Sequence, residues 1–462
     1  MARIIDLSNP YVLTETGDEV EKVLGLPFRA VQMDETEKAQ LHENVGLPEA
    51  DDTPTEGSTN LVTSGGVYAW VLQQIQALKT VSGIAITTPP TKTLYRVGEA
   101  LDLSGIVVTA TYTDGTTADV TGECVFSPAA GDTLSGNAAT QISATYRTAT
   151  ASMYVNVTTP YIDLHSDSAF TLKPYNTSKN WDGTLETSTN GSSWTEWTGS
   201  ELTAGSYAGE YHIMVRGTGN TKITGSNENR RWVLGGSGVK CSGDVTMLLD
   251  YQNPGSVTLA NSGLYALFYG QAALIEAPQL SLASVPQQGY AQMFYECTNL
   301  PETPILPART IGNTGCAYMF SGCSALEIAH DVEAETIDSS GCASMFALCT
   351  SLQTAPAFKA KTIGSQGIYG AFSACTALTR IPVLRPTVLA ATCYKQMFRG
   401  CSAVKLSATK TGAYQYEYRI PAEGTGTPAT DALLDMFANT GGTFTGTPTI
   451  NTVYYTDHAP VA

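Results

Sequence analysis

Four carboxylates crowd one short stretch of the chain: Asp331, Glu333, Glu335 and Asp338. Acids alternating along one strand face could hold a hard cation such as calcium, which collects several oxygen ligands. The plainer reading of Asp331, Glu333 and Glu335 is a solvated face. Glycan hydrolysis would need two carboxylates at a set separation in a groove. His42, His165, His212, His330 and His458 stand one per region, with no HExxH or other paired spacing, and neither a GxSxG elbow nor a P-loop occurs. Ten cysteines include no CxxC pair for zinc. The residues therefore assign no catalytic group, metal or cofactor, and an enzyme is not expected. Trp194 and Trp197 could do a different kind of work. In Ser192-Ser-Trp194-Thr-Glu-Trp197 they fall on opposite strand faces. An exposed indole matches the apolar face of a pyranose ring, so both are glycan-binding candidates. The alternative is that they fill the core of a small sandwich.

The elements that must position these residues are written in the composition and in a repeat. The chain has 462 residues and a net charge of -17, yet only 15% of it is charged. That sign excludes a basic face for phosphate, so no nucleic-acid partner is expected. Many Gly, Ser and Thr and few charges suit a β-rich virion or extracellular protein. No run of about 18 apolar residues occurs, so no membrane span is expected. No apolar stretch follows Met1, so no export signal is expected either.

Phe recurs at 268, 294, 320, 346, 372 and 398, a step of 26 residues. Three positions later stand Gln271, Cys297, Cys323, Cys349, Cys375 and Cys401, and six positions later a Leu or Val. A segment around Asp435-Met436-Phe437 continues the series after a 13-residue insertion. Such a period marks a solenoid, whose coils bury their apolar residues only by stacking. Phe, Leu, Ile and Cys then form interior ladders about 4.8 Å apart, and six coils extend roughly 30 Å. The stretch Ala-x-Met-Phe-x-x-Cys reads as a short helical turn and Leu-x-x-x-Pro-x-Leu as extended chain. Five cysteines in one ladder, with Cys316, Cys342 and Cys393 in a second column, read as reduced core residues.

These columns, as in Ile363-Gly364…Ala371-Phe372-Ser-Ala-Cys375-Thr-Ala-Leu378-Thr-Arg-Ile381-Pro382, resemble the BspA-type leucine-rich repeat over about 264–440. The resemblance implies a right-handed solenoid used in bacterial and phage surface adhesion, with no catalytic site. Upstream, Lys92-Thr-Leu-Tyr95-Arg-Val-Gly98-Glu99…Val108-Thr-Ala-Thr-Tyr112-Thr-Asp114-Gly115 resembles the bacterial Ig-like repeat, a spacer or carbohydrate-binding module. Thr113-Asp114-Gly115-Thr116 reads as its hairpin turn. The stretch from Gly57 to Tyr68 resembles a junction in fibre proteins of gut bacteriophages, where it leads into a short trimeric helical bundle. Val67, Val71, Ile75 and Leu78 make one apolar helix stripe for that trimer. Residues 1–56 hold 13 acids and 4 bases and too few apolar anchors for a core of their own. They read as a segment that orders by binding a partner.

The fold expected is multidomain and mainly β. It comprises a virion-docking segment (1–56), a linker and trimerising helix (57–80), an Ig-like β-sandwich (81–159), a β-rich cap (160–262) and a solenoid with a C-terminal cap (263–462). The function expected is a structural bacteriophage head or tail fibre, a homotrimer held to a capsid or tail protein through 1–56. Assembled in the host cytoplasm, it would present the solenoid to a host-surface glycan or protein. The alternatives are a bacterial surface adhesin and a glycan depolymerase tailspike.

Overall fold

Strand β3 (Val107–Tyr112) shows why the first part of the chain forms sheets. Val108, Ala110 and Tyr112 point inward while Val107, Thr109 and Thr111 face out, the two-residue period of a half-buried strand. The structure, a computed structural model, describes residues 80–135 and 139–461. The docking segment and the stripe Val67, Val71, Ile75 and Leu78 lie outside the described residues. The described chain is mainly β.

Seven strands occupy the first module: β1 (Val81–Thr88), β2 (Leu94–Arg96), β3, β4 (Thr117–Asp119), β5 (Val125–Ser127), β6 (Ala139–Tyr146) and β7 (Ala149–Thr158). They make two sheets, β1-β3-β4 and β2-β7-β6-β5, closed over Val108, Ala110, Ala144 and Tyr146 at one end and Tyr95, Ile142, Val155 and Val157 at the other. The β3–β4 turn has Gly115 at φ 81°, a left-handed conformation that glycine takes without steric cost.

The next module holds β8 (Ile162–Ser166), β9 (Thr171–Pro174), β10 (Thr184–Ser188), β11 (Thr195–Glu196), β12 (Leu202–Thr203), β13 (Gly205–Tyr207), β14 (Glu210–Thr218), β15 (Trp232–Gly235) and β16 (Val239–Ser242). A five-residue helix, α1 (Thr246–Asp250), follows, and β17 (Leu274–Glu276) joins β16 in parallel. The larger sheet runs β11-β10-β14-β8-β16-β17, with β13 on β14, and the smaller runs β12-β9-β15. Trp181, Trp197 and Trp232 pack among their buried residues. Asp244 ties this module to the Ig-like one. Its backbone N–H donates to the Thr158 hydroxyl at 3.0 Å, and the Gln279 side chain donates to the Val157 carbonyl at 3.0 Å.

From Gly263 onward the chain adds layers. The two-residue strands β18 (Ser284–Val285), β19 (Thr310–Ile311), β20 (Thr336–Ile337) and β21 (Thr362–Ile363) pair in parallel, each with the residue 26 positions on. Opposite them runs the stretch holding Met-Phe, and it is not helical. Gln288, Gln292 and Glu296 take φ of 55°, 56° and 54°, one left-handed residue in every four. Each costs an L-residue about 1–2 kcal/mol, and hydrogen bonding between layers offsets this. Tyr290, Gln292, Phe294 and Glu296 donate N–H to the carbonyls of Gly315, Ala317, Met319 and Ser321 in the next layer, all at 2.8–2.9 Å. The intervening residues close tight turns, as Met293 does on Tyr290 at 3.1 Å. The expectation of a helical turn fails because these donors serve the neighbouring layer instead of the chain's own fourth residue back.

Both ends of this hydrogen-bond ladder meet other parts of the chain. In the first layer alternate carbonyls accept from the preceding module or from the layer's own Gln271. Gly263 accepts from Ile223 N–H at 2.7 Å and Leu267 from Trp232 N–H at 2.8 Å. Tyr265 accepts from the Thr224 hydroxyl and Tyr269 from the Gln271 amide, both at 2.8 Å. In the last layer Asp435 N–H donates to the Thr447 hydroxyl and Phe437 N–H to the Gly446 carbonyl, both at 2.8 Å. The inserted residues form β22 (Lys405–Ser407) and β23 (Tyr416–Arg419), which pair with β24 (Gly441–Gly442) and β25 (Val453–Thr456) in one terminal sheet.

Candidate functional site

A cleft of about 620 Å³ lies between the Ig-like module and the flank of the layers. One wall is Ile84 to Ile86 of β1 and Ala151 to Tyr154 of β7, with Gln141 beside them. The other is built from every second residue of the extended stretches, Ile305, Pro307 and Arg309 in one layer, Ala329, Asp331 and Glu333 in the next, then Lys359. Alternation puts these side chains on one face. The 26-residue step lines up Arg309 with Glu335 and Lys361, and Glu333 with Lys359. His330 also lines the cleft, its Nε2 lying 2.9 Å from the Glu302 carboxylate.

The acidic trio resolves into residues of different kinds. Asp331 pairs with Lys359 at 2.8 Å and accepts the Ala357 N–H at 2.8 Å. Glu335 pairs with Lys361 at 2.8 Å and meets Arg309 at 3.6 Å, and the Lys361 hydrogen bond holds its carboxyl below the usual range. Two of the three proposed cation ligands are thus engaged by lysines, and among the described residues no cluster of three or more metal-ligating side chains occurs. Glu333 is the remaining one. It is half-buried, and burial raises its carboxyl despite the opposing pull of Lys359 and Arg309. It has neither a hydrogen bond nor an ion pair.

Trp197 cannot serve as a sugar platform, because it lies in the core. Trp197 is 1% exposed; it stacks on Trp181 at 4.9 Å and meets Trp232 edge-on at 5.4 Å. Trp194 is half-buried, with the Arg216 guanidinium 4.0 Å over its ring, Tyr161 at 5.5 Å, and its indole N–H bound to the Gly191 carbonyl at 3.1 Å. Arg216 is itself stacked on Tyr251 at 4.1 Å and paired with Glu186 at 2.9 Å. The single strand of alternation read from the sequence shrinks to Thr195–Glu196, so alternation could not tell which ring faces inward.

The ladder residues lie together in the interior. Phe268, Phe294, Phe320, Phe346, Phe372 and Phe398 are all buried, and neighbouring rings stack at 5.4–5.7 Å with interplanar angles of 4–9°. Phe437 adds a seventh ring at 5.3 Å. The spacing exceeds 4.8 Å because the rings slip sideways, as aromatic faces prefer. Cys297, Cys323, Cys349, Cys375 and Cys401 are buried, and all ten cysteines are free thiols. Burial pushes the Cys297 thiol up to about 12, so it is not a nucleophile at neutral pH.

Sequence reading missed two sites. The cleft needs a second module to close it, and no motif announces that. On the outer sheet face His165 and His212 stack at 5.6 Å, with Glu210 2.7 Å from one and Asp163 3.0 Å from the other. Cross-strand pairing of β8 with β14 creates that face from histidines that the linear sequence leaves scattered.

Among the described residues no helix is long and apolar enough to cross a membrane. No curated protein matched the chain. Residues 88–157 match the family described as bacterial Ig-like domain (group 3), so the first described module is an Ig-like domain, compatible with a surface or adhesion-type protein.

Proposed function

We propose that this chain is a structural fibre protein of a bacteriophage particle. Residues 1–56 dock it to a capsid or tail protein, and Val67, Val71, Ile75 and Leu78 join three copies. The layers form a BspA-type leucine-rich-repeat solenoid that presents a surface to a host glycan or protein. The observation that carries this reading is an Ig-like module seated on a stack of layers that is covered by folded chain at both ends. Such a body is a rigid display surface. Adhesion is then the whole of its work, without bond chemistry, and weak sites gain avidity from three copies.

The test is the mass in solution, with retention on host cells. A mass about three times 48.9 kDa and retention on cells or gut glycans support the fibre. A monomer sinks it. Loss of glycan polymer on incubation would move the reading to a depolymerase.

A further inference from the structure

We propose that the cleft between the Ig-like module and the layers binds an oligosaccharide bearing a free, protonated amino group, with Glu333 as the counter-ion of that amine. This deepens the adhesion reading and rests on it. Among the charged groups lining the cleft, Lys359 is taken by Asp331 at 2.8 Å and Arg309 reaches Glu335 at 3.6 Å. What remains is one carboxylate, partly desolvated and without a partner. A half-buried carboxylate with no partner in the chain still reaches the space of the cleft, and a cationic ligand there would pair it. A hard metal ion would want several oxygens together, which a single free carboxylate does not give. An ammonium needs one charged acceptor and a few neutral ones, and Ser152, Gln141 and Ser281 border the same space.

A sugar suits the rest of the lining. Ile86, Met153 and Pro307 offer apolar patches between those hydroxyl and amide groups. A pyranose has both an apolar C–H face and a rim of hydroxyls. The volume of about 620 Å³ lies within the range of small-ligand clefts, roughly 300–1,000 Å³.

The experiment is calorimetric titration of the full chain, at physiological ionic strength, with a glucosamine trisaccharide and with its fully N-acetylated counterpart. The net charge of -17 makes any polycation a poor probe, so the ligand is kept short. The free-amine sugar should bind at least about tenfold tighter than the acetylated one, the scale of one charge-assisted hydrogen bond. Glu333→Gln should abolish that preference, while Glu196→Gln, which removes an equal charge from exposed β11, should keep it. An unchanged melting temperature for both variants shows that folding is not at issue. Equal binding of the two sugars, or a preference that survives Glu333→Gln, overturns the proposal. So does a lysine tripeptide that binds as tightly as the amino sugar with the same Glu333 dependence, since the site would then read a peptide side chain. Cell retention separates the two readings. Retention without trisaccharide binding overturns the cleft alone, and trisaccharide binding through Glu333 without retention upholds the cleft and sinks adhesion.

Discussion

The thiol of Cys323 donates a hydrogen bond to the carbonyl of Phe294, one layer back, at 3.1 Å. Cys297, Cys349, Cys375 and Cys401 do the same to Phe268, Phe320, Phe346 and Phe372 at 2.9–3.2 Å. Cysteine recurs in this column because it fills a small apolar space and also satisfies a buried carbonyl. Valine could do only the first.

Cys349→Ala removes that donor and opens a small cavity in the middle of the stack. We expect a loss of about 1–3 kcal/mol in folding stability, measured by urea unfolding. A change within error would mean that the thiol bond contributes nothing.

Gln271 occupies the same column in the first layer, where no preceding phenylalanine exists. Its side-chain carbonyl accepts the Leu234 N–H at 2.7 Å and its amide donates to Tyr269. Gln271→Ala leaves a buried N–H and a carbonyl without partners, and should cost about 2–4 kcal/mol. Hydrogen exchange should rise first at Leu234. Protection that stays uniform would refute the capping role.

Asp244 is fully buried where the Ig-like module meets its neighbour, bonded to Thr246 and Ser281, and burial raises its carboxyl to about 6. The folded state therefore holds this proton where the unfolded chain, near 3.8, has released it. The stabilisation from protonation is complete below pH 3.8 and is lost as pH rises to about 6. Asp244→Asn should flatten that part of the stability profile, read from melting temperatures across the window. An unaltered slope would show that the carboxyl titrates alike in both states.

Trp197→Ala should cost about 3–5 kcal/mol, the usual range for a buried large aromatic. The loss arises because the ring bridges Trp181 and Trp232, and Trp232 meets Phe268 at the head of the ladder. Glycan retention per folded molecule should not change. A fall in retention at unaltered stability would return the ring to a binding role.

What the sequence showed and what it hid follow one physical division. The Phe and Cys columns were legible because side chains that stack must share a type, and the Thr113–Thr116 turn because Gly115 alone tolerates its conformation. The Met-Phe stretch has residues of helical propensity and so reads as helical, while its N–H partners lie in the next layer. Along the strand alone, Glu335 and Asp331 have the spacing of cation ligands. Read across the 26-residue columns, Lys361 stands beside Glu335, while Lys359 shares the column of Glu333 and reaches over to Asp331. Trp194 and Trp197 could not be placed, since one strand's alternation does not say which face a neighbouring sheet covers.

The ladder between layers has a direction, with N–H groups of one layer always reaching toward carbonyls of the next in the Met-Phe stretch. Its first row of carbonyls and its last row of N–H groups are therefore complementary, like the two ends of a template that could copy itself without limit. Ile223, Thr224 and Trp232 close one row, and Gly446 and Thr447 close the other. The stack therefore meets folded chain at both ends instead of presenting two bare complementary rows.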